Sequence, residues 1–134
     1  MIARTHRFHG YSSLRFVYRH GQTVRDPLLA LRYVVNERQK SWRLAVVVSR
    51  KVSKSAVVRN RIRRRIYEIV RLSVGDFNEP QDFVVIAFSP QLAELETAKL
   101  SATVLDLFKH AGVKVGRLPA ETTPDRDIVK TKDD

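Results

Sequence analysis

The residues that could do chemistry in this 134-residue chain are mostly cationic, and they concentrate between Arg50 and Arg71. That segment holds nine Lys/Arg against one acid, Glu68, and five arginines fall within seven residues. Such a cluster repels itself unless an anion relieves it, whereas an ordinary solvated helix face alternates the sign of its charges. The segment therefore predicts a nucleic-acid-binding surface in preference to a merely solvated one.

Acids and histidines give weaker signals. Asp76, Glu79 and Asp82 cluster around a loop, but a two-metal nuclease needs convergent carboxylates, and a charged surface loop is the commoner explanation. His6 and His9 are three residues apart, with no third metal ligand in evidence. Neither a Gly-x-Ser-x-Gly elbow nor a phosphate loop occurs. We expect no catalytic residue, no metal site and no cofactor bound by the protein alone.

A helix must carry the basic residues, because apolar residues recur through the segment at helical spacing. On a projection of 100° per residue one arc collects the apolar side chains Val58, Ile62, Ile66, Ile69, Val70 and Leu72. The opposite side collects Asn60, Arg61, Arg63, Arg64 and Arg71. Arg59 and Arg65 lie at the margins, where a long stem packs while its guanidinium reaches outward. Ser53 and Ser55 are both plausible N-caps, and the helix is expected to run to about Ser73.

The elements around this helix follow from periodicity and turn residues. We predict a helix from Ser12 or Ser13 to His20, strands over Leu28–Val35, Trp42–Ser49 and Asp82–Ser89, and a helix over about Glu94–Ala111 that stops at Gly112. The strand over Asp82–Ser89 is nearly all apolar, so it should be buried on both faces. Because the basic helix joins two strands by a long connection, those strands are expected to pair in parallel as a βαβ unit.

Composition sets the domain organisation and the compartment. The net charge is +11, and Met1–Gly112 carries 20 Lys/Arg against 9 Asp/Glu while the last 22 residues carry five of each. We predict a flexible basic arm over residues 1–10, one domain over 11–112 and a disordered, charge-balanced tail over 113–134. The chain has no cysteine and no apolar run long enough for a bilayer, so a soluble cytoplasmic protein is expected.

Aromatic residues interleave with arginines in the N-terminal part, as in grooves that stack the bases of single-stranded RNA. The set is Phe8, Tyr11, Phe16, Tyr18, Tyr33 and Trp42. Several of these must belong to the core. We favour Phe8 and Tyr18 as the ligand-facing pair, with Phe16 or Tyr33 as alternatives.

The basic helix resembles a known signature. KVSKSAVVRNRIRRRIYEI, Lys51 to Ile69, is similar to the Arg-Asn-Arg motif of the protein subunit of bacterial ribonuclease P, and six positions match it: Arg59, Asn60, Arg61, Arg63, Arg64 and Glu68. LRFVYRHG before it resembles the family's first helix, and RLAVVVSRKV and DFVVIA resemble its strands. The similarity extends from about Phe8 to Ala111.

The resemblance implies an α+β fold, a single αβββαβα domain of ribosomal-protein-like type whose βαβ crossover is left-handed, against the usual right-handed rule. It also implies a function. The family's protein binds a large catalytic RNA and helps it remove 5′ leaders from precursor tRNA, and the RNA holds the catalytic Mg²⁺. The implied partners are therefore ribonuclease P RNA and precursor tRNA, with no membrane and no obligate protein partner. The alternative is a ribosomal-protein-like structural RNA-binding module without a role in tRNA processing.

The resemblance also assigns residues to two surfaces. The expected RNA-binding residues are Arg50, Lys51, Lys54, Arg59, Asn60, Arg61, Arg63, Arg64 and Arg65. The expected leader cleft, between the first helix and the sheet, contains Phe8, Arg15, Tyr18, Arg32 and Tyr33.

Four positions depart from the family pattern. Leu14 replaces a cleft phenylalanine, Arg32 stands at an often aromatic position, Tyr67 replaces a basic residue before Glu68, and Ser53 to Ser55 replace a glycine-containing turn. Arg32 could therefore exchange base stacking for phosphate contact or guanidinium stacking.

Overall fold

The structure is a computed structural model that describes residues 11–38, 41–74 and 80–113. Its elements in chain order are α1 (Tyr11–His20), β1 (Gln22–Arg25), β2 (Leu29–Val35), β3 (Arg43–Val47), α2 (Ala56–Val74), β4 (Gln81–Ala87), a 3-10 turn (Pro90–Ala93) and α3 (Thr97–His110). The predicted basic arm with Phe8, residues 114–134 of the predicted tail, and the acids Asp76 and Glu79 lie outside the described residues. Val113, the first residue of the predicted tail, is instead buried in the core.

The four strands form one sheet in the order β1-β2-β4-β3. β2 pairs antiparallel with β1 and with β4, whereas β3 pairs in parallel with β4 across the α2 connection. The predicted βαβ unit and the αβββαβα order are therefore confirmed. The left-handed crossover stays a prediction.

One face of the sheet carries the main core. Alternate residues of the strands, including Leu31, Leu44 and Phe83, are fully buried in one cluster with residues of α2 and α3. The Phe83 and Phe108 rings lie 4.9 Å apart, which fixes α3 against β4. The predicted apolar arc of α2 is confirmed at Ile62, Ile66, Ile69 and Val70, but it is wrong at Leu72, which is 56% exposed. Ser73 is buried at the end of the helix instead.

The opposite face of the sheet carries α1. Val17, Ala30 and Val84 are fully buried but lie outside the main cluster, and the C-terminal carbonyls of α1 contact Arg32 of β2. Side chains alternate across a strand, so even-numbered residues of β2 and β4 point to this face. Of the helices that the structure describes, the short α1 covers this face, and Ala45, Val47 and Ile86 are left half-buried. A partly open cleft between α1 and the sheet results.

A buried ion pair crosses the parallel strands at the edge of this second face. Asp82 is fully buried and accepts hydrogen bonds from Arg43 Nε at 3.0 Å, Arg43 Nη2 at 2.9 Å and Asn36 Nδ2 at 2.8 Å. Register places Arg43 directly beside Asp82. The carboxylate is therefore fully engaged inside the protein, which disfavours Asp82 as part of a nuclease centre.

The predicted N-cap of α2 at Ser55 and the predicted stop of α3 at Gly112 agree with the structure. Ser55 Oγ accepts a hydrogen bond from Val58 N at 3.2 Å and is the N-cap of α2, whereas Ser53 Oγ accepts from Ser55 N in the preceding turn. Gly112 has φ +89° and closes α3, with Gly112 N donating to Lys109 O and Val113 N to Phe108 O. The predicted start of the last helix at Glu94 is wrong, because Pro90 opens a separate 3-10 turn and α3 begins at Thr97.

Candidate nucleic-acid interface

The basic face of α2 is built by a helix whose other side is seated in the core. Asn60, Arg61 and Arg64 are exposed, while Ile62 and Ile66 on the other side of the helix are fully buried. Among the described residues, Arg64 makes no hydrogen bond or ion pair. Arg63 donates to Asn60 Oδ1, which ties these two side chains together on the helix surface. The helix thus presents a rigid row of donors to solvent.

Two arginines of α2 also hold the protein together. Arg65 donates to the carbonyls of Leu92 and Leu95, and Arg61 Nε donates to Ala93 O at 2.6 Å. These bonds fasten the 3-10 turn to α2. Burial lowers the pKa of Arg65, and the neighbouring charge of Arg61 lowers it further. Arg65 was predicted to contact RNA, but its guanidinium is committed to carbonyl oxygens, which favours a structural role.

The approach to α2 carries the remaining predicted cations. Arg50, Lys51 and Lys54 are exposed in the connection between β3 and α2. Arg59 is half-buried and donates from Nη1 to Ser53 O at 2.9 Å, so it braces the turn that replaces a glycine-containing one. The structure therefore brings the predicted basic residues onto one continuous surface, the α2 helix with its preceding turn.

The acid of the signature lies on the same surface. Glu68 is paired with Arg71 one turn later, and that hydrogen bond lowers the pKa of the Glu68 carboxyl. Arg61, Arg64, Arg65 and Glu68 line a shallow groove. Its excess positive charge suits a phosphate backbone more than a neutral ligand.

Tyr67, which replaces a usual basic residue, serves the fold. Its hydroxyl accepts a hydrogen bond from the backbone N–H of Val46, at 3.3 Å, on the edge strand β3. A free edge N–H is a site for unwanted strand pairing, and Tyr67 covers it.

Arg32 is the organising residue on the α1 face. Its Nη2 donates to Tyr18 O at 2.7 Å and Gly21 O at 3.0 Å, and its Nη1 donates to Thr23 Oγ1 at 2.8 Å. These carbonyls end α1, where the helix dipole favours a cation. The guanidinium carbon also lies 5.9 Å from the Tyr18 ring centroid. These contacts favour a structural role for Arg32 over the predicted leader contact, since most of its donors are occupied.

The structure separates the predicted cleft residues. Tyr18 is 41% exposed on α1 and Arg15 is exposed beside it. Tyr33 does not join them. It pairs with Gln22 on the other face of the sheet, where it packs on the main core and donates from its hydroxyl to Gln22 Oε1 at 3.1 Å. The assignment of Tyr33 to the cleft is therefore wrong, because strand alternation places it opposite to Arg32.

Two other aromatic candidates are resolved as well. Trp42 is 1% exposed and belongs to the core. Phe16 is half-buried and contacts the His20 ring in a tilted arrangement with the centroids 5.0 Å apart. It also lines a shallow groove with Val35, Asn36, Glu37 and Arg38. On α1, the side chains of Tyr18 and Phe16 both keep surface for a ligand.

Sequence reasoning missed an aromatic at the far end of the cleft. Phe88 is 39% exposed, and the guanidinium carbon of Arg25 lies 5.3 Å from its ring centroid. The whole segment Asp82–Ser89 was predicted to be buried. Alternation could have found Phe88, since it follows Val84 and Ile86 at a period of two on the less covered face.

The described residues contain neither a candidate metal-binding group nor a candidate membrane-spanning helix. Within residues 11–38, 41–74 and 80–113, no group of three His, Cys, Asp or Glu could hold a metal ion. Nor is any helix of those ranges long and apolar enough to cross a membrane.

The sequence is similar to that of known proteins. A family model described as Ribonuclease P matches residues 2–112. The Ribonuclease P protein component of Roseiflexus castenholzii is 39% identical over 126 residues, covering 94% of this chain and all of that protein, and that of Bacillus cereus strain AH187 is 29% identical over 113 residues, covering 84% and 96%.

Solved structures share the fold. The Staphylococcus aureus RNase P protein aligns with a TM-score of 0.72 at 24% identity, covering 81% of this chain and 97% of that one. The Thermotoga maritima RNase P protein aligns with a TM-score of 0.64 at 24% identity, covering 72% and 89%. At these identities the likeness supports the α+β architecture.

Proposed function

The chain belongs to the ribonuclease P protein family, and from this premise we propose that it is the protein subunit of a bacterial ribonuclease P. In this proposal it binds the catalytic RNA and the 5′ leader of precursor tRNA, in the cytoplasm, and assists endonucleolytic 5′ maturation. The observation that carries the proposal is the separation of two surfaces. The basic face of α2 points one way from its core, and the cleft between α1 and the sheet lies on the other side of the sheet.

The α2 surface is assigned to the catalytic RNA. Arg64 is exposed without an internal partner among the described residues, and Arg61 keeps its terminal nitrogens available beyond the bond from its Nε. Arg50, Lys51 and Lys54 extend the surface at the N-terminus of the helix. Because Arg61 and Arg64 lie on a helix fixed by its buried side, RNA binding requires little ordering of the backbone that carries them.

The cleft is assigned to the single-stranded leader. Its floor consists of the half-buried Ala45, Val47 and Ile86, whose small or aliphatic side chains leave the strands accessible from above. Tyr18 supplies an exposed ring at one end, and Arg15 supplies charge. An aromatic beside cations suits a base and its phosphate, without requiring a particular sequence.

Catalysis is assigned to the RNA together with its Mg²⁺. The described part of the chain offers Asp82 as its only fully buried carboxylate, and the three hydrogen bonds to Arg43 and Asn36 occupy it. The protein's own contribution is to bind and to orient the two RNAs.

Site-directed crosslinking tests this division. A photoreactive group attached at position 18 should crosslink to the 5′ leader of precursor tRNA, and one at position 64 should crosslink to ribonuclease P RNA, in the reconstituted complex. A probe at the exposed position 98 on α3 serves as the control and should crosslink to neither. Crosslinks confined to ribosomal RNA in a cell extract would contradict the proposal and favour the structural RNA-binding module.

A further inference from the structure

Arg25 and Phe88 form a second ring and guanidinium pair on the cleft face, away from the one formed by Tyr18 and Arg32. The two pairs have distances of 5.3 Å and 5.9 Å between guanidinium carbon and ring centroid. Arg32 lies opposite Val84 in the sheet, and Phe88 comes four residues later on the same strand course. At the rise of a β-strand, positions 84 and 88 are therefore roughly 13 Å apart along β4.

The backbone holds Phe88 on the cleft side. Its N–H donates to Leu28 O at 2.9 Å, which continues the β2-β4 ladder beyond Ala87. Arg25 is paired with Ala30, and Ala30 is paired with Ile86. Ala30 is the residue of β2 that lies between Arg25 and β4, and its side chain is small. The long Arg25 side chain can therefore cross β2 and reach the Phe88 ring.

The two arginines differ in what they have left to offer. The terminal nitrogens of Arg32 donate hydrogen bonds to four oxygen atoms of the protein. Arg25 is exposed, and among the described residues it makes no hydrogen bond or ion pair, so its donors remain available beside an exposed ring. Two acids lie near this face. Asp82 is toward the other end of β4, buried and paired with Arg43, whereas Asp26, next to Arg25, accepts a hydrogen bond from Leu28 N at 2.9 Å. The available donors of Arg25 suit an anionic occupant.

Resting on the proposed function, we infer that Arg25 and Phe88 bind one nucleotide of single-stranded RNA at the distal end of the leader cleft. The Phe88 ring stacks on the base and Arg25 contacts its phosphate. Stacking tolerates every base, so the pair selects for the presence of a base and for leader length more than for sequence. Leaders too short to reach the pair lose this contact.

The test uses the reconstituted holoenzyme and precursor tRNAs whose leaders differ in length by one nucleotide. With wild-type protein, affinity should rise in a step when the leader reaches the pair. Phe88→Ala should remove that step and weaken binding of longer leaders by about 5- to 100-fold, the range of one base stack. Phe88→Tyr should restore binding, while Phe88→Leu should not, because it retains apolar contact without a ring to stack.

Base-free nucleotides locate the contact. One placed at the stacked position should abolish the difference between wild type and Phe88→Ala, whereas one placed elsewhere should preserve it. Arg25→Gln should reduce the slope of log affinity against log salt by about 0.7. Equal affinity of wild type and Phe88→Ala for all leader lengths would overturn the inference.

The outcome for the proposed function is distinguishable from the outcome for this pair. If wild-type protein gives no preference for precursor over mature tRNA, leader binding itself is contradicted. If that preference is present and independent of Phe88, only the assignment of this nucleotide site fails. Thermal unfolding of each variant is the control for a merely structural role. If Phe88 only supports the fold, Phe88→Ala should lower the melting temperature and weaken the binding of every leader by the same factor.

Discussion

Replacing Arg64 or Arg65 with glutamine removes the same charge from adjacent positions of α2, yet the two changes should affect different properties. Arg64 is exposed and makes no hydrogen bond among the described residues. Arg65 donates to the Leu92 and Leu95 carbonyls of the segment that precedes α3. Arg64→Gln should therefore weaken RNA binding, and Arg65→Gln should destabilise the fold.

The magnitude for Arg65→Gln follows from the bonds that are lost. A hydrogen bond from a charged donor contributes about 1.5–3 kcal/mol, and partial exposure of this side chain reduces that value. A net loss of about 2 kcal/mol in the free energy of unfolding corresponds to a fall of about 8 °C in melting temperature for a domain of this size.

The magnitude for Arg64→Gln follows from phosphate contacts. Losing one contact should reduce the slope of log affinity against log salt by about 0.7 to 0.9, depending on whether the RNA is single- or double-stranded there. The melting temperature should stay the same or rise slightly, because the variant removes one of several like charges on α2.

Thermal unfolding followed by circular dichroism, and binding to ribonuclease P RNA at several salt concentrations, measure both effects. Each variant is the charge-matched control for the other. The reasoning is refuted if Arg64→Gln lowers the melting temperature while Arg65→Gln does not, or if the salt slope of Arg64→Gln equals that of the wild type.

Three further changes test the scaffold, each by chemical denaturation. Gly21→Ala places a Cβ 2.6 Å from Val17 O and 3.1 Å from Tyr33 O, both backbone atoms, and should cost about 1–3 kcal/mol; an unchanged midpoint would show that the α1 end shifts freely. Asp82→Asn should lower the free energy of unfolding by about 3–5 kcal/mol, because Arg43 is left buried without its partner. Glu68→Gln, at an exposed pair, should change it little, and equal effects of the two changes would contradict the importance given to burial. Gly112→Ala should cost about 1 kcal/mol, because φ is +89° there although no atom lies within 4 Å of the new Cβ; a cost near zero would mean that the helix end rearranges.

The helices and long strands could be predicted because each buries a regular pattern. The period of α2 places Ile62 and Ile66 correctly, and the apolar run of β4 correctly indicates a strand buried between two layers. β1 could not be predicted from residues alone, since Gln22–Arg25 contains one apolar residue in four. That strand exists because its backbone pairs with β2.

Roles of individual arginines were the least predictable part of the site. The helical projection places Arg65 at the margin of the apolar arc and Arg64 on the opposite side, but the partners of Arg65, the Leu92 and Leu95 carbonyls, come from a distant segment. Arg43 is buried only because the parallel register brings Asp82 beside it. Pairing between distant segments decided these cases, and helical or strand periodicity carries no information about it.

The central claim is that this protein assists a catalytic RNA and does not cleave by itself. The most direct measurement is cleavage of precursor tRNA as a function of Mg²⁺ concentration, with a bacterial ribonuclease P RNA alone, the protein alone, and the two together. We predict that precursor tRNA stays intact with the protein alone. We also predict that the leader is removed at a lower Mg²⁺ concentration with protein and RNA together than with the RNA alone. An unchanged Mg²⁺ requirement across several salt conditions, or metal-dependent cleavage by the RNA-free protein, would contradict it.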